Sequence, residues 1–269
     1  MTKVVLAIAG SDSGGGAGIQ ADLKAVSALG VYGATAVTAV TAQNTRGVTA
    51  IHAVPPAVVG AQIAAVLADI RVDAVKIGMV GGPGAIAAVA EGLRGCAAPV
   101  VLDPVMIAKS GDALVGADGV AALMRLLPLA TVLTPNLPEA ARLLDAPEAQ
   151  GEEERVRQGR ALLALGARHV LMKGGHAEGA VCTDLLVGRE GVLRFSAPRI
   201  ATRNTHGTGC SLSSAIAAGL ARGMAVGEAV GLAHRWLHGA IRGADGLGIG
   251  GGHGPVHHFH ALWPVPECV

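Results

Sequence analysis

Short Val, Ala and Ile runs alternate along the whole chain with longer amphipathic segments, and that alternation leaves few folds open. The runs at 4–9, 34–40, 74–77, 100–102, 131–133 and 169–172 are short and continuously apolar, which predicts parallel strands buried on both faces. Between them, 17–29, 57–67, 84–93, 116–127, 152–165, 210–221 and 226–242 repeat apolar residues at helical spacing. Repeated βαβ units predict an α/β fold, with helices covering both faces of a mostly parallel sheet and ligands over the carboxyl ends of its strands. One stretch breaks the rhythm: 181–187 and 192–195 flank Gly188-Arg189-Glu190-Gly191, the pattern of a small antiparallel hairpin. No repeat, low-complexity tract or linker divides residues 1–269, so a single domain is expected.

Composition removes several function classes. Lys and Arg total 21 against 20 Asp and Glu, and with two Phe, one Tyr and two Trp there is no basic, aromatic-interleaved face, so nucleic acid is not an expected partner. The apolar start at 4–9 is shorter than the ~7–15-residue core of a secretory leader and reads as a buried strand. The longest uncharged stretch, 25–45, is cut by glycines, threonines, Gln43 and Asn44 and does not read as a membrane span. Cys96, Cys182, Cys210 and Cys268 form no C-x-x-C pair, which speaks against a disulfide framework or zinc knuckle and fits a reducing cytoplasm.

Chemistry-bearing residues collect after the strand runs. The first is followed by Gly10-Ser11-Asp12-Ser13-Gly14-Gly15-Gly16-Ala17-Gly18 and a helix, a loop that satisfies neither G-x-G-x-x-G nor the P-loop spacing. Its glycines permit close approach of backbone to a ligand, and Asp12 and Asp22 offer acceptors, with helix capping the alternative for Asp12. Gln43 sets a donor and an acceptor side by side after the second run, suited to an aminated nitrogen heterocycle or simply a surface amide. Met79 is a flexible apolar group that floors a flat ring or fills core. Asp103 and Glu139 are hard oxygen donors with neutral Asn136 beside them, the chemistry of a magnesium site shared with phosphates, although Glu139 also stands where it could cap a helix. Lys173, before Gly174-Gly175-His176, is a phosphate contact or a solvated lysine. The run Asn204-Thr205-His206-Gly207-Thr208-Gly209-Cys210 opens a helix, so its turn should present free amides as an anion hole. The helix field there is expected to lower the thiol pKa of Cys210 and make it a base or nucleophile. The tail histidines His253, His257, His258 and His260, apart from distant Glu267, read as ring-packing or surface groups before they read as metal ligands.

These segments, taken in order with Asp103-Pro104-Val105-Met106, Thr134-Pro135-Asn136-Leu137-Pro138-Glu139 and Gly252-His253-Gly254-Pro255-Val256-His257-His258-Phe259, make eight motifs spread over essentially the whole chain. Together they resemble the bacterial hydroxymethylpyrimidine/phosphomethylpyrimidine kinases of thiamine biosynthesis, in the ribokinase-like superfamily. The resemblance implies a three-layer α/β/α ribokinase-like fold and a homodimer; a cytoplasmic location and the absence of membrane and nucleic-acid partners are the expectations already read from cysteines, charge and hydropathy. It implies ATP-dependent phosphorylation of 4-amino-5-hydroxymethyl-2-methylpyrimidine and then of its monophosphate, with Mg²⁺. Carried over by residue, it places Gln43 on the pyrimidine's amino edge and Gly10, Asp22, Met79 and Val105 around the ring or its hydroxymethyl arm. Asp103 and Glu139 fall at the metal, Asn136, Lys173 and Thr205 at ATP or its phosphates, and Gly207, Thr208, Gly209 and Cys210 at the catalytic anion hole. Gly14 and Ser211 depart from the Ser and Thr common in relatives. Sugar kinases of the superfamily carry Asp where Cys210 stands; if Cys210 is the base, Cys210→Ser should slow the first phosphorylation more than the second. A pyridoxal or pyridoxine kinase of the same fold and a non-catalytic heterocycle-binding module are the alternatives.

Overall fold

The computed structural model describes residues 1–106, 117–175 and 179–263. Among these, nine strands form one sheet in the order β3-β2-β1-β4-β5-β6-β7-β8-β9. The six apolar runs become β1 (Val4–Asp12), β2 (Tyr32–Asn44), β4 (Ala74–Ile77), β5 (Val100–Leu102), β6 (Val132–Leu133) and β7 (Val170–Met172), every neighbouring pair parallel. Their carboxyl ends therefore open along one edge. β3 (Gly47–Ala53) runs antiparallel to β2, while β8 (Val181–Gly188) and β9 (Gly191–Pro198) form the hairpin. The hairpin prolongs the sheet, since Leu185, Leu186 and Val187 pair with Met172, Leu171 and Val170.

Alternation along the strands divides the interior in two. Leu6, Ile8, Ile77, Leu102 and Leu133 point to one face, Val5, Val101, Val132 and Leu171 to the other. The first face is covered by α2 (Pro56–Asp69), α3 (Pro83–Gly92), α4 (Ala117–Leu123), α5 (Leu137–Leu144) and α6 (Gly151–Ala164), through residues such as Ile63, Ile86, Leu123, Leu143 and Leu162. The second is covered by α1 (Gly18–Ala28), α7 (Thr208–Ala221) and α8 (Val226–Arg242), through Val26, Ile216 and Trp236. Each such Leu, Ile or Val contributes roughly 1.5–3 kcal/mol by leaving water. The result is the expected three-layer α/β/α arrangement.

Local differences from the sequence reading have physical reasons. β3 was not anticipated because five of its seven residues are exposed, so it carries no apolar signal. The expected helix at 116–127 becomes α4 followed by a 3-10 turn, Met124–Leu129, because Pro128 supplies no amide to continue an α-helix. Its first residue, Gly116, lies outside the described residues, as do the expected strand-end run from Ile107 to Asp112, His176, Glu267 and Cys268. The three described cysteines are free thiols.

Candidate active site

The site starts from a helix cap. Asn136-Leu137-Pro138-Glu139 closes a capping box at the start of α5: Asn136 Oδ1 accepts from the Glu139 amide at 2.8 Å, and Glu139 Oε2 accepts from the Asn136 amide at 2.8 Å. The cap fixes the Glu139 carboxylate 3.7 Å from Lys173 Nζ, at the end of β7. Lys173 donates to Asp103 Oδ1 at 2.8 Å, and that oxygen also accepts from Thr134 Oγ1 at 2.9 Å. Burial works against the charge on Asp103, but the ammoniums of Lys173 and Lys76 and the two hydrogen bonds outweigh it and hold the carboxyl below its ordinary range. Glu139 goes the other way: burial, reinforced by the nearby Asp103 carboxylate, pushes it up to about 7. Lys173 is held charged, because its two carboxylates outweigh its own burial. The cap assignment and the ligand assignment for Glu139 are thus compatible, one oxygen serving the helix while the group faces the cavity.

Beside this cluster α7 begins. Gly207 has φ +81, and a Cβ there would stand 1.8 Å from the Gly16 carbonyl oxygen, so only glycine can make the turn. No side chain caps α7; the Thr208 amide donates to the Thr205 carbonyl at 3.4 Å, and the Gly209 and Cys210 amides are left to the cavity that both residues line. A Cβ on Gly209 would lie 3.4 Å from Asp103 Oδ2 and 3.5 Å from Lys173 Nζ, so the anion hole abuts the ion pair. Cys210 corrects an expectation. Its thiol is not lowered by the helix field but pushed up to about 11, mainly by burial, with the Lys76 ammonium opposing.

The other end of the cavity is apolar and amide-lined. Gly10 lets the Met79 methyl lie over the first strand end, where a Cβ would meet Met79 Cε at 2.2 Å. Thr38 Oγ1 and the Gly10 amide both donate to the Met79 carbonyl, at 2.7 and 3.1 Å, fixing its backbone. Gln43 Oε1 accepts from Thr41 Oγ1 at 3.0 Å, and its backbone amide donates to Ser13 Oγ at 2.8 Å. Asp22 is not where the resemblance placed it. It is 0% exposed beneath α7, accepting from Lys76 Nζ at 2.7 and 2.9 Å and from Ser214 Oγ at 2.7 Å. Lys76, also 0% exposed, is held charged because Asp22 and its other anionic neighbours outweigh its burial. The pair underlies the site and does not line it.

All the remaining expected residues, from Gly10, Gln43, Met79 and Val105 to Asp103, Asn136, Glu139, Lys173, Thr205 and the Gly207–Cys210 turn, line one cavity of about 640 Å³. That volume suits two small ligands end to end. Three residues with no site role in the sequence reading, His206, Thr134 and Asp184, matter here, together with Asp12, which was expected as an acceptor or a cap. Asp12 accepts from the amides of Gly14, Gly16 and Ala17 and from His206 Nε2, the last at 2.8 Å. Burial opposes the Asp12 charge, but the His206 bond and the backbone amides overcome it and keep the carboxyl low. Thr134 orients Asp103, and Asp184 on β8 accepts from the Gly174 amide at 2.7 Å. A Gly-rich loop after Asp12 was a usable signal for that residue; Asp184 sits in the middle of a strand and had none. The tail histidines are accounted for by packing: His258 Nε2 meets Ser211 Oγ at 2.9 Å, and His258 and His260 lie against the Trp236 ring.

A lysine clamped by carboxylates beside an uncapped helix start, both at the carboxyl edge of a doubly covered parallel sheet, defines a phosphotransferase of the ribokinase-like class. Residues 12–257 match the family model of phosphomethylpyrimidine kinase, and the chain belongs to that family. The hydroxymethylpyrimidine/phosphomethylpyrimidine kinase of Rhizobium meliloti (strain 1021) is 58% identical over 264 residues, covering 98% of this chain and 99% of that protein. Among solved structures, phosphomethylpyrimidine kinase from Clostridium difficile 630 superposes with a TM-score of 0.80 at 42% identity, covering 89% of this chain and 100% of that one. An ADP complex of Bacillus subtilis pyridoxal kinase superposes with a TM-score of 0.90 at 34% identity, covering 98% and 100%.

Proposed function

We propose that this kinase transfers the terminal phosphate of ATP to the hydroxymethyl oxygen of 4-amino-5-hydroxymethyl-2-methylpyrimidine, and then transfers a second to the phosphate of that product, in thiamine biosynthesis. The observation that carries the reading is the division of one cavity into two poles. Gln43, Met79, Gly10 and Val105 form a flat, amide-edged end, and Lys173, Asp103 and the Gly207–Cys210 turn form an anion-binding end. Gln43 matches an amino group next to a ring nitrogen, and Met79 offers a soft floor for the ring. Lys173 and the first amides of α7 neutralise charge on the phosphoryl group in flight, and Asn136 and Thr205 line the same end.

Two carboxylates, Asp103 and Glu139, are too few for a closed cage, and among the described residues no cluster of three or more His, Cys, Asp or Glu could hold a metal. That donor set fits Mg²⁺, which keeps waters and phosphate oxygens as its other ligands. When bound there, Mg²⁺ supplies a positive charge that draws phosphate oxygens together and offsets their repulsion. Cys210 enters as a neutral thiol shaping the hole. In the first step the bond from the hydroxymethyl oxygen to phosphorus forms as the bond to ADP breaks, and the hydroxyl proton passes late to an oxygen of the transferred phosphoryl group, as a loose transition state allows. The monophosphate of the second step, with a second pKa near 6, is already largely dianionic at pH 7 and needs no base.

ADP release measured in a coupled assay, with the hydroxymethylpyrimidine, its monophosphate and pyridoxal supplied separately, tests this. Turnover of the first two with kcat/KM at least about tenfold above pyridoxal is expected. Preference for pyridoxal makes the protein a pyridoxal kinase, and no turnover of any acceptor leaves a binding module. The protein acts as a cytoplasmic homodimer in this account. Light scattering should give twice the chain mass.

A further inference from the structure

Four chain segments far apart in sequence are tied into a closed ring around the acceptor end of the cavity. The loop after β1 reaches the end of β2 through Ser13, whose Oγ accepts from the Gln43 amide at 2.8 Å. The turn after β2 reaches the tail through Thr45: its carbonyl accepts from the His253 amide at 2.8 Å and its Oγ1 from the Gly252 amide at 3.1 Å. The tail reaches the turn before α7 twice, the Gly254 amide donating to Asn204 Oδ1 at 3.0 Å and the His206 amide to the Gly254 carbonyl at 3.0 Å. His206 closes the ring. Its Nε2 lies 2.8 Å from Asp12 Oδ2, and the same carboxylate gathers the amides of Gly14, Gly16 and Ala17. His206 and Asp12 are both buried, at 8% and 3% exposed, so water competes little for their bond.

Asp12, Gln43 and His206 of this ring line the cavity, and His206 immediately precedes the Gly207 turn that sets the start of α7. We infer that His206 is a positioning residue that, through Asp12 and with the Gly252–Gly254 strap, holds the acceptor loop in register with the anion hole. Without the bond each half still binds its own ligand, but the acceptor oxygen and the phosphoryl group lose alignment, and misplacement on the order of 1 Å can cost about 10²-fold in rate. The inference rests on the kinase reading above. Its failure is distinguishable, because that reading is tested on the unaltered protein by which acceptors it phosphorylates, and the inference on the variants alone.

The test is steady-state kinetics on the full chain with the hydroxymethylpyrimidine and ATP as substrates, together with melting temperatures. Gln places an amide N–H close to the position of His Nε2, whereas Leu offers none. H206L is expected to lose about 10²-fold in kcat and to raise the acceptor KM several-fold, with KM for ATP within about twofold; H206Q is expected to recover at least tenfold of the kcat loss. T45V, which removes one strap bond while keeping shape, should lower kcat about threefold to tenfold at an unchanged melting temperature. The inference is overturned if H206L keeps kcat and the acceptor KM within twofold. It is equally overturned if H206Q is no better than H206L when both are folded. Should H206L fail to fold, H206Q and T45V carry the test, and a T45V protein with wild-type kinetics overturns the strap's part in it.

Discussion

Cys210 shows how one side chain's chemistry depends on what surrounds it. A thiol on the first turn of a helix is in a field that favours the thiolate, and sequence reasoning follows that field. Removal from water dominates instead and pushes the thiol up to about 11, so it is neutral at pH 7. The account therefore predicts that Cys210→Ser slows both phosphorylations alike, with the two kcat losses within about twofold when each acceptor is supplied separately. A loss confined to the first step would restore the thiol as base. Glu139 gives a stability counterpart. Its folded pKa of about 7 lies above its ordinary 4.5, so its contribution to stability is fully present below about 4.5 and is lost as pH rises through 7. In the absence of metal and nucleotide, Glu139→Gln should raise the unfolding free energy at pH 8 by on the order of 1–2 kcal/mol, seen as a higher melting temperature, and change it little at pH 5. The residue types of the site were legible because they sit in short runs after apolar strands. Their surroundings were not: Asp22 looks like a ligand contact until Lys76, 54 positions later, is seen to enclose it.

At the scale of elements, α7 and the layer beneath it set the geometry. Gly207→Ala forces a side chain onto the Gly16 carbonyl at positive φ, so the start of α7 must shift. We expect a loss of at least about 2 kcal/mol in urea unfolding and a fall in kcat of about 10²-fold or more. The Lys76–Asp22–Ser214 cluster ties β4, α1 and α7 together with no exposure at all. Lys76→Met strands a buried carboxylate and should cost about 3–5 kcal/mol in chemical denaturation, and adding Asp22→Asn should recover part of that. The parallel strands and most helices were readable because period and apolarity coincide in them. β3 was not, since an exposed antiparallel edge strand owes its place to hydrogen bonds with β2 and carries almost no apolar pattern of its own.

Across the whole molecule the two cores are separated by a single sheet, and the strands contribute alternate residues to each. Neither core can be lost without uncovering the other's strands, so the chain is expected to unfold as one domain, with coincident circular dichroism and fluorescence transitions. Two separated transitions would divide it. The same sheet brings residues as distant as Gln43 and Cys210 to the walls of one cavity, a convergence that local pattern could only anticipate through the rule that ligands meet strand carboxyl ends. The most direct measurement is the stoichiometry of exhaustive turnover: excess ATP and Mg²⁺, limiting 4-amino-5-hydroxymethyl-2-methylpyrimidine, and ADP counted at completion. Two ADP per pyrimidine, with the monophosphate rising and then falling, is the predicted result; no ADP, or a halt at one equivalent, contradicts it.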